Sequence, residues 1–336
     1  MQINRFVFGK LSIRNDYLCP MDRLIGSYEG QEKGPLVIVL GAIHGNEPAG
    51  VEAFQSVLDM LQREHLRNPD FIFLGKISGF IGHIAAYKQN KRFIRQDLNR
   101  MFHPNRVQPI IDRLPATLEA EDAELAALLQ AIQAEIAAYQ PKHLVILDLH
   151  TTSADGGIFS IPLETDPESI RMAKALHVPV VMGLLAGLDS TFMHYANHPD
   201  SVFKAPNRVV HTVAFEAGQH NDPLSVNRSI SAIISLLRAV RCIMEKDVSS
   251  HHDATLRKYS ENLPKLTYIT HVQHITNGER FKMRPGYLNF QFINKGEHLA
   301  DNEKGAILAP SDGYILMPLY QTQGVDGFFI VNTQPN

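Results

Sequence analysis

The 336-residue sequence has little cysteine, no tryptophan and no long apolar segment. Its two cysteines, Cys19 and Cys242, are too few for a disulfide framework, and neither lies in a metal-type Cys-x-x-Cys motif. No run approaches the roughly 18 apolar residues of a membrane span, and the opening residues, MQINRFVFGK, contain no apolar core of signal-peptide length. We therefore expect a cytoplasmic protein in a reducing compartment.

The chain also lacks a strong charge of either sign. Its 32 basic and 35 acidic residues give a formal net charge of −3, which provides no general attraction to nucleic acid or to an anionic membrane. The content of 44% hydrophobic and 20% charged residues is that of an ordinary globular protein, and the length predicts about two domains. An enzyme or a metabolite-binding protein fits these values.

Residues 36–61, LVIVLGAIHGNEPAGVEAFQSVLDML, combine a strand, a turn and a helix. Leu36–Leu40 is an apolar run rich in β-branched residues, which predicts a strand buried on both faces. After Pro48, apolar residues recur at helical spacing. His44 and Glu47 lie in the turn between them, where open α/β sheets hold their ligands. The two side chains could bind one metal ion, although such a pair alone is more typical of a solvated turn.

Further apolar patterns predict a layered α/β arrangement. The predicted strands are Phe71–Ile77, Leu144–Leu149, Gly157–Pro162, Val178–Leu184 and Val209–Phe215. The predicted helices are Glu119–Tyr139, Pro167–Leu176 and Asp222–Met244. Residues 1–30 indicate edge strands, and residues 78–90 indicate a loop with one or two helical turns.

Two of these strands are followed directly by residues whose side chains could bind a metal ion or transfer a proton. His150 follows Leu149, and Glu216 follows Phe215. Asp148 precedes His150 by two residues, so on an extended chain both face the same side and the carboxylate could orient the imidazole. A single histidine after a strand is, taken alone, more often a surface or core residue.

The segment RFIRQDLNRMF contains three arginines, Arg92, Arg95 and Arg100, beside Asp97 and Asn99. Its apolar residues have no sustained period, which favours a loop. Such a loop is usually a solvated surface feature, and Asp97 could simply brace it while Asn99 forms a turn. Arginine, however, matches a carboxylate with its planar fork, so arginines near a metal would suggest an anionic substrate.

Residues 246–265 change in composition and predict a domain boundary, which we place between residues 247 and 248. Residues 1–247 are then the α/β domain. In residues 248–336, short β-like runs such as GYILMPLY and GFFIVN are separated by turn residues. The second domain is therefore predicted to be small and all-β.

Considered together, the residues at the strand ends predict a single site. In a parallel sheet, the carboxyl ends of the strands before His44, His150 and Glu216 meet at one edge. Two histidines and a glutamate are a known ligand set for catalytic zinc, which leaves a fourth position for water. Glu216 is then available as the base that takes a proton from water.

Four motifs in this order, GAIHGNEPAG, RFIRQDLNRMF, ILDLHTTS and FEAG, resemble the succinylglutamate desuccinylase/aspartoacylase family. The resemblance covers about residues 36–220, and this family is related to zinc carboxypeptidases. It implies a zinc-carboxypeptidase-like mixed sheet flanked by helices, with a smaller C-terminal all-β domain. It also implies a deacylase for a small anionic N-acyl amino acid, with one zinc ion per chain. The sequence itself leaves a homo-oligomer open.

By this resemblance, His44, Glu47 and His150 would hold the zinc ion and Glu216 would act as general base. The resemblance further implies that Arg92 polarises the scissile carbonyl and that the substrate carboxylate is bound by Asn99 and Arg100. A tyrosine from the C-terminal domain closes the site in aspartoacylases, and the candidate here is Tyr320.

Two other readings of the sequence remain open. A carboxypeptidase-like zinc peptidase would share the chemistry but need a groove for a longer peptide, and a non-catalytic metabolite-binding protein would need neither metal nor Glu216. Several other histidines have no comparable context and are predicted to be surface or core residues: His194, His198, His211, His220, His271 and His274.

Overall fold

The structure is a computed structural model, and it describes residues 22–188, 190–247, 251–276 and 278–334. Cys19 and most of the predicted edge strands in residues 1–30 lie outside these ranges. Within the described ranges, no helix is both long enough and apolar enough to cross a membrane.

Strands and helices alternate through most of the chain, and strands predominate after residue 265. The strands are β1 (Leu24–Glu29), β2 (Glu32–Gly41), β3 (Leu74–Ile81), β4 (His143–Thr152), β5 (Phe159–Pro162), β6 (Val180–Met182), β7 (Val209–Gln219), β8 (Leu266–His274), β9 (Lys282–Met283), β10 (Gln291–Ile293), β11 (His298–Asn302), β12 (Gly305–Leu308), β13 (Gly313–Leu316) and β14 (Asp326–Asn332). The α-helices are α1 (Ala49–Arg67), α2 (Ile84–Lys88), α3 (Pro104–Ile111), α4 (Ala120–Tyr139), α5 (Pro167–Ala175), α6 (Phe192–Asn197), α7 (Leu224–Ala239) and α8 (His251–Lys258).

Eleven strands of the described chain form one mixed sheet in the order β1-β3-β2-β4-β7-β5-β6-β8-β14-β13-β10. Strands β3, β2, β4 and β7 are parallel, and β1 is an antiparallel edge strand beside β3. Strand β5 runs antiparallel to β7, as β14 does to β8. Strands β12, β11 and β9 form a small antiparallel sheet. The predicted fold class, a mixed sheet flanked by helices with a smaller C-terminal β structure, is confirmed.

Helices cover both faces of the large sheet because its central strands are apolar on both faces. In β2, Val37 and Val39 belong to the apolar core beneath α1 and α7, whereas Leu36, Ile38 and Leu40 belong to the core beneath α3 and α4. All five side chains are fully buried. This is the burial that an uninterrupted apolar run predicts for a strand between two helical layers.

The C-terminal strands contribute to both sheets. Strands β8, β14, β13 and β10 extend the large sheet, and β9, β11 and β12 make up the small one. The strand character predicted for this region is therefore present. The domain boundary between residues 247 and 248 stays a prediction.

Several predicted element bounds are wrong. Strands β4 and β7 do not end before His150 and Glu216 but continue to Thr152 and Gln219, and these two site residues face each other in the strand register. Polar side chains at the cleft end the apolar run without ending the backbone pairing. The strand predicted at Phe71–Ile77 lies at Leu74–Ile81, since Ser78 and Gly79 also pair with β2. Helix α7 ends at Ala239 rather than Met244.

Candidate metal and active site

The turn between β2 and α1 carries His44 and Glu47. Both side chains are buried, with exposed fractions of 4% and 2%. A Cβ atom added at Gly45 would lie 2.2 Å from the backbone of Ala86 and Tyr87 at helix α2. Because only glycine allows this close approach, the turn is held against α2, and its two polar side chains are directed to one place.

Three side chains form a cluster suited to a metal ion. One possible ligand atom from each of His44, Glu47 and His150 lies within 4.8 Å of the others, and all three residues are buried. Glu47 bridges the histidines: its Oε1 lies 2.9 Å from His44 Nδ1 and its Oε2 lies 3.1 Å from His150 Nδ1. Two imidazoles and a carboxylate are ligands that zinc accepts, so the donor set fits that ion.

A second carboxylate contacts each of these histidines on its other ring nitrogen. Asp97 Oδ1 lies 3.1 Å from Nε2 of His44, and Asp148 Oδ2 lies 3.1 Å from Nε2 of His150. Because a carboxylate accepts, each Nε2 carries a proton in this arrangement, and each Nδ1 would have to lose its own proton, which faces Glu47, before it could bind a metal ion. The contact between Asp148 and His150 is the one expected from strand alternation.

The charges of the cluster stabilise one another. Burial opposes ionisation of Glu47, but the two neighbouring histidines outweigh it and hold the pKa of this carboxyl well below its usual range. Burial likewise opposes the charged form of His150, but Asp148 and Glu47 raise its pKa well above the usual value. The carboxylates therefore stabilise positive charge at this place, carried here by the imidazole proton that a metal ion would have to displace.

Glu216 stands beside the cluster on the neighbouring strand. It is paired in register with His150, is 7% exposed, and its Oε2 has no hydrogen-bond partner among the described residues. Burial, with a contribution from the charge of Glu47, raises the pKa of Glu216 to about 8. A carboxylate with this pKa and a free oxygen can take up and release a proton near neutral pH.

The arginine segment is a loop with a short 3-10 turn at Leu98–Arg100, and it lies against the cluster. Asp97 Oδ2 accepts hydrogen bonds from Arg92 Nε at 3.0 Å and from Nη2 at 2.8 Å. Nη1 of Arg92 lies 3.6 Å from Glu47 Oε1. Asp97 thus holds Arg92 and His44 together, as well as accepting from the backbone N–H of Asn99 at 2.9 Å.

Glu121, whose role the sequence did not reveal, anchors this loop from helix α4. Its Oε1 accepts from the backbone N–H groups of Ile94 at 2.7 Å and Arg95 at 2.9 Å, and it lies 3.2 Å from Nε2 of the buried His83. The sequence gives no signal of this contact because Glu121 resembles any first-turn acid of a helix. The side chain of Arg95 is 67% exposed and pairs with Glu119, away from the cluster.

Asn99 and Arg100 line the same cleft but are already engaged. Asn99 Oδ1 accepts from the backbone N–H of Phe192 at 2.8 Å. Arg100 Nη2 donates to Asp326 Oδ2 at 2.9 Å and Nη1 to the Asn99 carbonyl at 3.1 Å, whereas its buried Nε has no partner among the described residues. The pairing with Asp326, from strand β14, was not predicted.

The cleft around the cluster has a volume of about 850 Å³, including space open to solvent. His220, predicted to be an ordinary surface or core histidine, lines it and lies 2.7 Å from Thr151 Oγ1 through Nδ1. Tyr320 does not line it: its hydroxyl donates to the Arg284 carbonyl at 2.9 Å and accepts from the Tyr287 N–H at 2.8 Å. The neighbouring residues Leu319 and Gln321 line the cleft instead.

Similar proteins carry related names. A probable aspartoacylase from Nostoc sp. is 29% identical over 143 residues, which is 42% of this chain and 43% of that protein. A succinylglutamate desuccinylase from Serratia proteamaculans is 26% identical over 205 residues, covering 59% of this chain and 58% of the relative. The chain thus spans about half the length of the curated relatives that it matches.

Solved structures share the fold. A succinylglutamate desuccinylase/aspartoacylase from Rhodobacter sphaeroides has a TM-score of 0.59 at 15% identity, covering 91% of this chain and 87% of the other. Murine aminoacylase 3 has a TM-score of 0.57 at 16% identity, covering 90% and 96%. The family model of the succinylglutamate desuccinylase/aspartoacylase catalytic domain matches residues 33–201, half of the chain. The chain therefore belongs to the succinylglutamate desuccinylase/aspartoacylase family.

Proposed function

We propose that this protein is a zinc-dependent deacylase that hydrolyses the amide bond of a small N-acyl amino acid. The observation that carries the proposal is the pairing of a buried donor set, His44, Glu47 and His150, with an unpartnered carboxylate oxygen on Glu216 at the same cleft. Family membership supports the same reaction class. One zinc ion per chain follows from the single donor set found among the described residues.

His44, Glu47 and His150 would hold the zinc ion, and Asp97 and Asp148 would orient the two imidazoles. When bound, zinc supplies Lewis-acid chemistry, activating water for attack and polarising the substrate carbonyl. Glu216 Oε2 takes the proton of the attacking water and passes it to the leaving nitrogen. A protonated leaving amine departs far more readily than an amide anion, so both halves of the reaction depend on this carboxylate.

Arg92 is positioned to stabilise the negative charge that develops on the carbonyl oxygen. Asp97 holds two of its nitrogens, while Nη1 lies beside Glu47 at 3.6 Å. A fixed cation next to a developing oxyanion stabilises it without reorganisation. Arg100 and the Asn99 amide group, which line the cleft, then bind the α-carboxylate of the substrate. Tyr320 is left out of the substrate-binding set because its hydroxyl is engaged elsewhere.

The experiment combines metal analysis with hydrolysis of N-acetyl, N-succinyl and N-formyl amino acids. Glu216→Gln keeps size and hydrogen bonding but cannot accept the proton, so we expect zinc to be retained and kcat to fall by roughly 10² to 10⁴. His150→Ala should lose both zinc and activity. The matched control is Glu119→Gln, the same change at a side chain that is 76% exposed, and it should behave as wild type.

Three results would contradict the proposal. Full turnover by Glu216→Gln would assign the base to another group. Full zinc content in each alanine variant of His44, Glu47 and His150 would show that the ion is held elsewhere. Cleavage of extended peptides in preference to N-acyl amino acids would favour the peptidase alternative.

A further inference from the structure

One wall of the cleft is apolar. Six lining residues belong to a single buried cluster between the large sheet and α6, each with an exposed fraction of 8% or less: Ile161, Leu184, Leu185, Met193, Ala214 and Phe329. Leu188, partly buried on the loop after β6, continues this wall. The packing of these side chains within a core fixes the wall as an apolar surface.

The cationic side chains of the cleft are nearly all neutralised. Among the described lining residues there is no lysine, and the two arginines each have a carboxylate partner: Arg92 with Asp97 at 2.8 Å and Arg100 with Asp326 at 2.9 Å. Asp326 has a side chain only 8% exposed, and its Oδ1 also accepts from His274 Nδ1 at 2.8 Å, which fixes it in place. A single donor of Arg100, the buried Nε, is left without a partner among the described residues.

We propose that the cleft selects substrates with one carboxylate, whose other substituent is apolar, and that Asp326 determines this specificity. The inference rests on the proposed deacylase function and names its substrate class. The first carboxylate is bound at Arg100. A second carboxylate would lose its water against the apolar wall and find no unpaired cation, whereas an aliphatic group of the same shape buries apolar surface there.

Isosteric substrate pairs test this directly. N-Acetyl-leucine and N-acetylaspartate have the same shape in the side chain, and N-isocaproylglycine and N-succinylglycine have the same shape in the acyl group. We expect kcat/KM to favour the aliphatic member by roughly 10², the penalty for an unpaired buried charge. The pair with the larger ratio shows whether the apolar wall receives the side chain or the acyl group.

Asp326→Asn isolates the residue responsible. The change frees Arg100 to bind a second carboxylate, so kcat/KM for the diacid of each pair should rise about tenfold relative to that of its aliphatic partner, mainly through KM. The matched control is Asp301→Asn, because Asp301 also contacts an arginine, Arg284, and a histidine but is 44% exposed and does not line the cleft. It should leave both ratios unchanged.

A second variant tests the charge balance without disturbing the ion pair. Leu188→Arg adds an unpaired cation to the wall and should also raise diacid hydrolysis. Equal or faster hydrolysis of the diacids by the wild-type enzyme would overturn the inference while leaving the deacylase proposal standing. Failure to hydrolyse any of the four substrates with zinc bound would instead overturn the proposed function.

Discussion

Asp97 performs two tasks: it contacts His44 and it neutralises Arg92. Replacing Asp97 with asparagine should separate their effects on zinc binding and on stability. In the structure Asp97 contacts Nε2 of His44 and two nitrogens of Arg92, and it is 5% exposed. Asparagine has no negative charge and only one oxygen acceptor, so its N–H₂ group faces either His44 or Arg92 and cannot accept a hydrogen bond there. The side chain of Arg92 is 13% exposed. The variant therefore leaves a buried guanidinium whose nearest remaining carboxylate among the described residues is Glu47, at 3.6 Å.

The expected losses of stability and of zinc affinity follow from this geometry. Removing one partner of a buried ion pair costs about 3–5 kcal/mol, and the remaining contact with Glu47 should hold the loss near the lower end of that range. Zinc affinity should fall by roughly 10- to 100-fold, as is usual when the group that orients a ligand histidine is changed. Urea unfolding of metal-free protein measures the first effect, and competition with a chelator measures the second.

Asp148→Asn is the matched control. Asp148 also contacts a proposed ligand histidine, His150, but its Oδ1 has no hydrogen-bond partner and it holds no arginine among the described residues. Both variants should weaken zinc binding, and Asp97→Asn should destabilise the metal-free protein more, because His150 can lose its proton when Asp148 is neutralised whereas Arg92 cannot. Equal unfolding free energies for the two variants would refute the separation of tasks.

The stability that Asp97 contributes should depend on pH. Burial by itself would raise the pKa of Asp97, but Arg92 and His44 hold it well below its usual range. A carboxyl whose pKa is lowered by folding contributes stability that is complete above its unfolded pKa of about 3.9 and is lost as pH falls through the folded value. The stability difference between wild type and Asp97→Asn should therefore be full near neutral pH and narrow in strong acid.

Three further outcomes are expected. Gly45→Ala should lower the free energy of unfolding by about 1–3 kcal/mol in urea, because its Cβ would lie 2.2 Å from the Ala86 backbone; an unchanged midpoint would contradict this contact. In a Cys19→Ser background, Cys242 should resist a thiol reagent until the protein unfolds, since burial raises its pKa to about 12; rapid labelling of native protein would count against it. Tyr320→Phe should leave kcat/KM unchanged and cost about 1 kcal/mol of stability, and a large loss of activity would restore its predicted contact with substrate.

The sequence determined the layered fold and the meeting of the candidate site residues at one cleft because both depend on local patterns. An apolar run such as Leu36–Leu40 must be buried on both faces, and such strands run parallel between helical layers. Parallel strands bring the turn with His44 and Glu47 to the same edge as His150 and Glu216. The order of strand, polar residue and helix was enough to predict this meeting.

Only the tertiary structure decided how those residues are held and what surrounds them. The partner of Arg100 is Asp326, 226 positions away, and the anchor of the arginine loop is Glu121, near the start of the helix predicted at Glu119–Tyr139. The position of Tyr320 outside the cleft is likewise decided by tertiary contacts. Such contacts depend on strand register and on the path of loops, and the hydrophobic period of the sequence does not determine either of them. A polar residue has the same sequence context whether its side chain faces solvent, a neighbouring loop or a substrate.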